Sequence, residues 1–127
     1  MRYTDRKVAV LGAGLSGTAA AHLLKDEGAA VTVLDSAEEK TILRTTIEGM
    51  RARKIEVICG PEAERHSAHY EMAVLSPGID PASSLAQNFS SRNIEVIGEL
   101  ELGWRSCGLP VVAITGTNGK TTTTELL

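Results

Sequence analysis

The chain has 127 residues, the length of one ordinary α/β domain and little more. Thirteen basic residues stand against 16 acidic ones, net −3, which gives no basic footprint for nucleic acid or an anionic membrane. Hydrophobic residues make up 43% and aromatics 3%, so any core is aliphatic; two cysteines, Cys59 and Cys107, are too few for a disulfide framework or, alone, a four-ligand zinc site.

The apolar run 7–11 (KVAVL) carries β-branched residues and no alternation, as expected of a parallel strand covered on both faces. Leu15, Ala19 and Leu23, flanked by Ala20 and Leu24, fall at helical spacing, and Gly28 is placed to end that helix in a left-handed cap. The stretch 8–24 superficially imitates a secretory leader. However, Asp5 lies in its would-be basic region, Gly12, Gly14 and Gly17 interrupt it, and it is too short and polar to span a bilayer, so a soluble cytoplasmic chain is expected.

Residues 30–34 read as a second strand, and 38–53 as a helix with Ile42, Leu43, Ile47 and Met50 on one face. A third strand is expected at 55–59, then a loop or short helix over 61–69, and a fourth strand at 72–75 running into the turn Ser76-Pro77-Gly78. Asp80 and Pro81 read as the cap and first residue of a helix reaching about Ser91. A fifth strand (94–97), a helix (99–107), a sixth strand (111–115) and a helix from Thr121 follow. Strands and helices alternating in this way predict an α/β chain with a doubly wound, mainly parallel sheet.

Two glycine loops stand at strand-to-helix junctions. Gly12-Ala-Gly14-Leu-Ser-Gly17 follows the first strand and opens the first helix, the context that gives GxGxxG its meaning. Gly12 would make the tight turn, Gly14 would let a ligand approach the backbone, and Gly17 would let helix and strand pack closely. The free N–H groups at the helix start suit a diphosphate, and Asp35, at the end of the second strand, stands where an acid commonly meets a ribose hydroxyl. These residues fit NAD, FAD or a UDP-sugar equally well. The second loop, Gly116-Thr117-Asn118-Gly119-Lys120-Thr121-Thr122, follows an apolar strand and has the chemistry of a P-loop. In it, backbone N–H groups and Lys120 would hold ATP phosphates while Thr121 ligates Mg²⁺. Gly116 stands only four residues before Lys120, so the loop is a shortened GxxGK[ST] form.

The string Ile114–Thr122 resembles the ATP-binding signature of the Mur ligases, the ATP-dependent amide-forming ligases of peptidoglycan synthesis. Within that family, VAVLGAGLSG, VTVLD and Ser76-Pro77-Gly78-Ile79 are most similar to the branch that joins D-glutamate to UDP-N-acetylmuramoyl-L-alanine. Ile97-Gly98-Glu99-Leu100-Glu101-Leu102 resembles that branch's connection into its ATP-binding domain. The resemblance implies a Rossmann-like UDP-substrate-binding domain over 1–109, and the start of a truncated central ATP-binding domain over 110–127.

It further implies that Gly14, Leu15, Ser16 and Gly17 face the UDP diphosphate and that Asp35 and Ser36 lie by the uridine. Gly78 would approach the substrate. Ala37 occupies the place where family members can carry an arginine that packs on the uracil. The implied partners are UDP-N-acetylmuramoyl-L-alanine, D-glutamate and ATP with Mg²⁺, acting through an acyl phosphate, with no NAD and a monomeric chain. An NAD(P)- or FAD-binding oxidoreductase domain, or another Mur ligase such as the L-alanine-adding enzyme, is the alternative. The chain ends one turn past the ATP loop, so it is expected to be part of a longer enzyme and inactive alone. No residue of the chain is assigned a catalytic role.

His22, His66 and His69 are expected as ordinary helix and loop residues, Arg51, Arg53 and Lys54 as a solvated helix end, Cys59 and Cys107 as reduced, buried or half-buried thiols, and Trp104 as a packing residue near the domain boundary.

Overall fold

A computed structural model describes residues 2–110 and residue 112. Nearly the whole of the expected sixth strand, the second glycine loop with Gly116–Thr122, and the helix from Thr121 lie outside the described residues.

The order of elements is β1 (Lys7–Leu11), α1 (Leu15–Asp26), β2 (Ala30–Asp35), α2 (Arg44–Ala52), β3 (Glu56–Cys59), α3 (Pro61–Glu64), β4 (Met72–Leu75), α4 (Ser84–Ser90), β5 (Glu95–Gly98) and α5 (Glu99–Ser106). The five strands form one parallel sheet in the order β3-β2-β1-β4-β5. Central β1 is covered on both faces, which is why Val8, Ala9, Val10 and Leu11 form an unbroken apolar run, each fully buried. Helices α1, α2 and α5 lie on one face over Val8, Val10, Val33 and Val74; α3 and α4 lie on the other over Ala9, Leu11 and Ala73. Phe89, the only phenylalanine, fills the second layer beside Tyr70. The sheet is therefore doubly wound and Rossmann-like, as the alternation of elements predicts.

Two helices end alike. At the end of α1 the N–H of Gly28 donates to the carbonyl of Lys25 (3.1 Å) and that of Ala29 to Leu24 (3.0 Å), with Gly28 at φ +89°. At the end of α2, Lys54 donates to Arg51 (2.9 Å) and Ile55 to Met50 (3.0 Å), with Lys54 at φ +61°. Both are Schellman caps, the second with lysine where glycine is the default.

The structure corrects four sequence expectations. The helix over 38–53 is broken: a single 3-10 turn, Glu39–Thr41, is followed by extended Ile42 and Leu43 before α2 begins at Arg44. Tertiary packing overrides the pattern, because Ile42 tucks against the core while Leu43 turns outward, 69% exposed. Helix α4 begins at Ser84, capped by the Ser83 hydroxyl accepting from the Ala86 N–H (3.3 Å), and not at Asp80. Asp80 instead accepts from the Ala82 N–H (2.8 Å), and its carbonyl from Ser83 (2.9 Å), so Asp80-Pro81 opens a turn. The buried stripe of α1 is Gly17, Ala20, Ala21 and Leu24, leaving Leu15 92% exposed. Cys107 is exposed and so is not a buried or half-buried thiol, and Trp104 is 61% exposed among the described residues.

Candidate functional site

The chain leaves β1 and β4, which are neighbours, toward opposite faces of the sheet, and this divergence opens a crevice at their C-terminal ends. The loop after β1 is held in place by three features. The Gly12 N–H donates to the carbonyl of Leu34 (2.7 Å), and Gly12 sits at φ +113°. A Cβ there would stand 2.9 Å from Ser76 Cβ and 3.1 Å from Ile79 Cγ1, so the loops after β1 and β4 touch. At Gly17 a Cβ would lie 2.0 Å from the carbonyl oxygen of Gly12, which no side chain tolerates.

Gly14 differs from both. It caps α1 in an extended conformation, φ −74° and ψ −172°, and a Cβ there would meet no protein atom within 4 Å. Nothing among the described residues demands glycine at this position, and the open space faces solvent. Thr18 makes the first helical hydrogen bond, to the Gly14 carbonyl (2.9 Å), so the N–H groups of Leu15, Ser16 and Gly17 have no intrahelical acceptor. Converging donors and the positive end of a 12-residue helix favour an anion here.

Asp35 ties the two strand ends together. One carboxylate oxygen accepts from the Ala13 N–H (2.8 Å) and the other from the Ala37 N–H (2.8 Å). The residue therefore positions the glycine loop, while each oxygen keeps a lone pair for a ligand hydroxyl.

A groove of about 410 Å³ lies between the start of α1 and the extended segment after β2. Gly14, Leu15 and Asp35 line one side, and Thr41, Ile42, Leu43 and Thr46 the other. Its size falls in the range of small-molecule sites, with apolar walls and few polar groups, as such sites require. Of the residues read from the sequence, the structure brings Gly14, Leu15 and Asp35 to this groove. Ser16 follows on the helix start, Gly17 is buried beneath Gly12, Ser36 is exposed next to Asp35, and Gly78 lies in the loop after β4 with open space around its Cα. The facing wall is absent from the sequence reading. Its only trace is the β-branched pair Thr41-Ile42, a weak helix former inside an otherwise helical pattern.

The facing wall is braced from behind. Arg51 donates both guanidinium nitrogens to Glu39 (2.8 and 3.1 Å), and this holds the Glu39 carboxyl below the usual carboxylate range. Arg53 contacts His22 Nδ1 (2.7 Å) and pairs with Asp26, joining α2 to α1. The two arginines thus form ion pairs and are not merely a solvated helix end. Burial, followed by the Glu39 and Asp35 charges, pushes the half-buried Cys59 thiol up, so it stays protonated and unreactive at neutral pH. Among the described residues no group of three His, Cys, Asp or Glu side chains is placed to hold a metal ion. No helix among them is long and apolar enough to cross a membrane.

Comparison with known proteins agrees with the sequence motifs. The model of the Mur ligase MurD-like N-terminal domain matches residues 6–98. The UDP-N-acetylmuramoylalanine–D-glutamate ligase of Caldanaerobacter subterraneus subsp. tengcongensis is 38% identical over 127 residues, covering 100% of this chain and 28% of its own length. The enzymes of the same name from Alkaliphilus oremlandii and Nitratidesulfovibrio vulgaris are 39% identical over 129 residues and 40% identical over 118. They are covered over 28% and 27% of their lengths, and this chain over 100% and 92%. The chain thus spans little more than a quarter of the length of these relatives. A solved shikimate dehydrogenase from Aquifex aeolicus aligns with 86% of this chain and 52% of its own, at 17% identity and a TM-score of 0.49.

Proposed function

The chain belongs to the Mur ligase MurD-like N-terminal domain family, and from that premise we propose that its groove holds the nucleotide end of UDP-N-acetylmuramoyl-L-alanine. The observation that carries this reading is Gly14: glycine where the protein leaves open space, at the mouth of a helix whose first N–H groups are free. The UDP diphosphate would accept from the N–H groups of Leu15, Ser16 and Gly17, without any cationic side chain. The uridine would lie between Leu15 and Leu43, whose exposed side chains gain from being covered, with Asp35 and Ser36 beside the ribose or base. The hydroxyls of Thr41 and Thr46 line the same groove and offer hydrogen bonds to the uracil edge, a role open to them because Ala37 supplies no cation. Gly78 would pass the sugar across the crevice.

In the longer enzyme, residues 1–109 would form this substrate domain and 110–127 would begin the ATP-binding domain. Gly116–Thr122 would hold ATP, with Lys120 against the β- and γ-phosphates and Thr121 on Mg²⁺. The γ-phosphoryl group would pass to the substrate carboxylate and release ADP. The amino group of D-glutamate would then attack the acyl phosphate and release phosphate. The residues described here bind and orient; they carry no step of that chemistry. The 127-residue chain is expected to be monomeric, cytoplasmic and without ligase activity.

Titration with UDP-N-acetylmuramoyl-L-alanine and, separately, with NADH tests this reading. Saturable binding of the first alone is expected. Saturable NADH binding with no response to the UDP ligand would instead favour an oxidoreductase domain.

A further inference from the structure

The opposite end of the sheet carries a second groove, of about 380 Å³, that the nucleotide site does not use. The N-terminal ends of β1, β2 and β3 form its floor, with Lys7, Thr32 and Glu56. Lys25 from the last turn of α1, Lys54 from the cap of α2 and His69 from the approach to β4 form its walls. Three lysines and one glutamate therefore line the groove.

Glu56 is bonded within the floor of the groove, and the acids around it are engaged elsewhere. Glu56 accepts from the Thr32 hydroxyl (3.1 Å), Asp26 pairs with Arg53, Glu27 accepts from the Arg2 N–H (2.9 Å), and Glu71 pairs with Arg6 (3.6 Å) and accepts from the Lys7 N–H (2.9 Å). Among the described residues, none of the ammonium groups of Lys7, Lys25 and Lys54 has a hydrogen-bonding or carboxylate partner. Lys54 adds an independent observation. It occupies the left-handed position of a Schellman cap at φ +61°, where glycine carries no Cβ penalty. The backbone would be better served by glycine, yet the residue present brings a cation to the groove.

We propose that this groove is a second anion subsite, taking the phosphoryl groups of a small multivalent anion. The chemistry favours phosphoryl over carboxylate. Lysines act as point charges that converge on a phosphate from several directions, whereas planar carboxylates are best met by a guanidinium fork. The nearby Arg6 and Arg53 are already committed to Glu71 and Asp26. The site lies at the end of the sheet remote from the glycine loop, so its occupancy does not depend on the nucleotide reading.

The test is a titration of the ¹⁵N-labelled 127-residue chain with inorganic pyrophosphate at about 20 mM salt, where screening is weak. Saturable amide shifts are expected at Ala30, Lys54 and Ile55, separate from any shifts at residues 14–17. Lys54→Gly should raise the thermal midpoint by about 3 °C by relieving the left-handed strain, so misfolding does not confound it. The same variant should weaken pyrophosphate binding in the groove about 5-fold, as should Lys25→Gln. Shifts confined to residues 14–17, or groove affinities unchanged within about twofold in both variants, would overturn the proposal.

Discussion

The wall of the proposed nucleotide groove formed by residues 11–18 is fixed from within, whereas the facing wall formed by 39–46 is held mainly from outside. On the first wall, Gly12 and Ala13 donate to Leu34 and Asp35, and Gly17 presses against the Gly12 carbonyl with no room for a methyl group. On the second, a 3-10 turn and two extended residues depend on Ile42 reaching the core and on the exposed pair of Glu39 and Arg51. The first wall offers backbone donors held by hydrogen bonds and close packing. The second offers side chains, Thr41, Leu43 and Thr46, whose identity can change without disturbing the sheet. On the proposed function, grip on a diphosphate and choice of base would fall to two differently held parts of the groove.

Substitutions should separate the two walls by the size and kind of their effects. Gly17→Ala should be the most damaging, because its methyl carbon would stand 2.0 Å from the Gly12 oxygen. A loss of about 3 kcal/mol or more in a urea unfolding titration is expected, enough to unfold a marginal domain. Asp35→Ala should follow, at about 2 kcal/mol, since it strands the Ala13 and Ala37 N–H groups that its carboxylate accepts from. Thermal unfolding of the two variants would rank them. An Asp35→Ala protein as stable as the parent would mean that the first wall is not clamped as described.

Leu43→Ala should move binding and not stability. The side chain is 69% exposed, so unfolding should change by less than about 0.5 kcal/mol. Affinity for the UDP ligand should fall about 5-fold as the cover over the base is lost. The smallest effect belongs to the brace. The Glu39 carboxyl is held low by Arg51, so its pairing is present at neutral pH and is lost as pH falls through that lowered value. A ¹³C titration of the Glu39 carboxyl should move up toward the ordinary range in Arg51→Ala, with no resolvable change in the unfolding midpoint.

The same contrast explains what was legible in the sequence. Gly12, Gly17 and Asp35 each answer to a local steric or hydrogen-bonding demand, and spacing alone carries such demands; Gly14 was legible only as part of that spacing. The parallel, doubly wound sheet was legible for a similar reason, since unbroken apolar runs such as KVAVL belong to strands covered on both faces. The facing wall was not legible. Ile42, Leu43, Ile47 and Met50 fit a helical stripe, and only the tertiary position of Ile42 breaks it. Asp80 and Ser83 are both good caps, and the choice between them rests on a turn that the chain must make leaving β4. Leu15 matches the helical period of Ala19 and Leu23, yet it lies off the buried stripe of α1. Its exposure follows from Gly17, Ala20 and Ala21 bringing the other side of α1 onto the sheet.

The most direct measurement is calorimetric titration of Gly14→Asp and the parent chain with UDP-N-acetylmuramoyl-L-alanine, alongside their thermal unfolding. Aspartate is a good helix cap in the conformation Gly14 holds, and its side chain enters space the protein leaves open. Stability should therefore be kept, or raised by about 0.5 kcal/mol. The added carboxylate would occupy the N–H groups meant for the diphosphate and repel it, so binding should fall at least about 100-fold. A stable Gly14→Asp protein that binds the UDP ligand as the parent does would contradict the assignment of this groove.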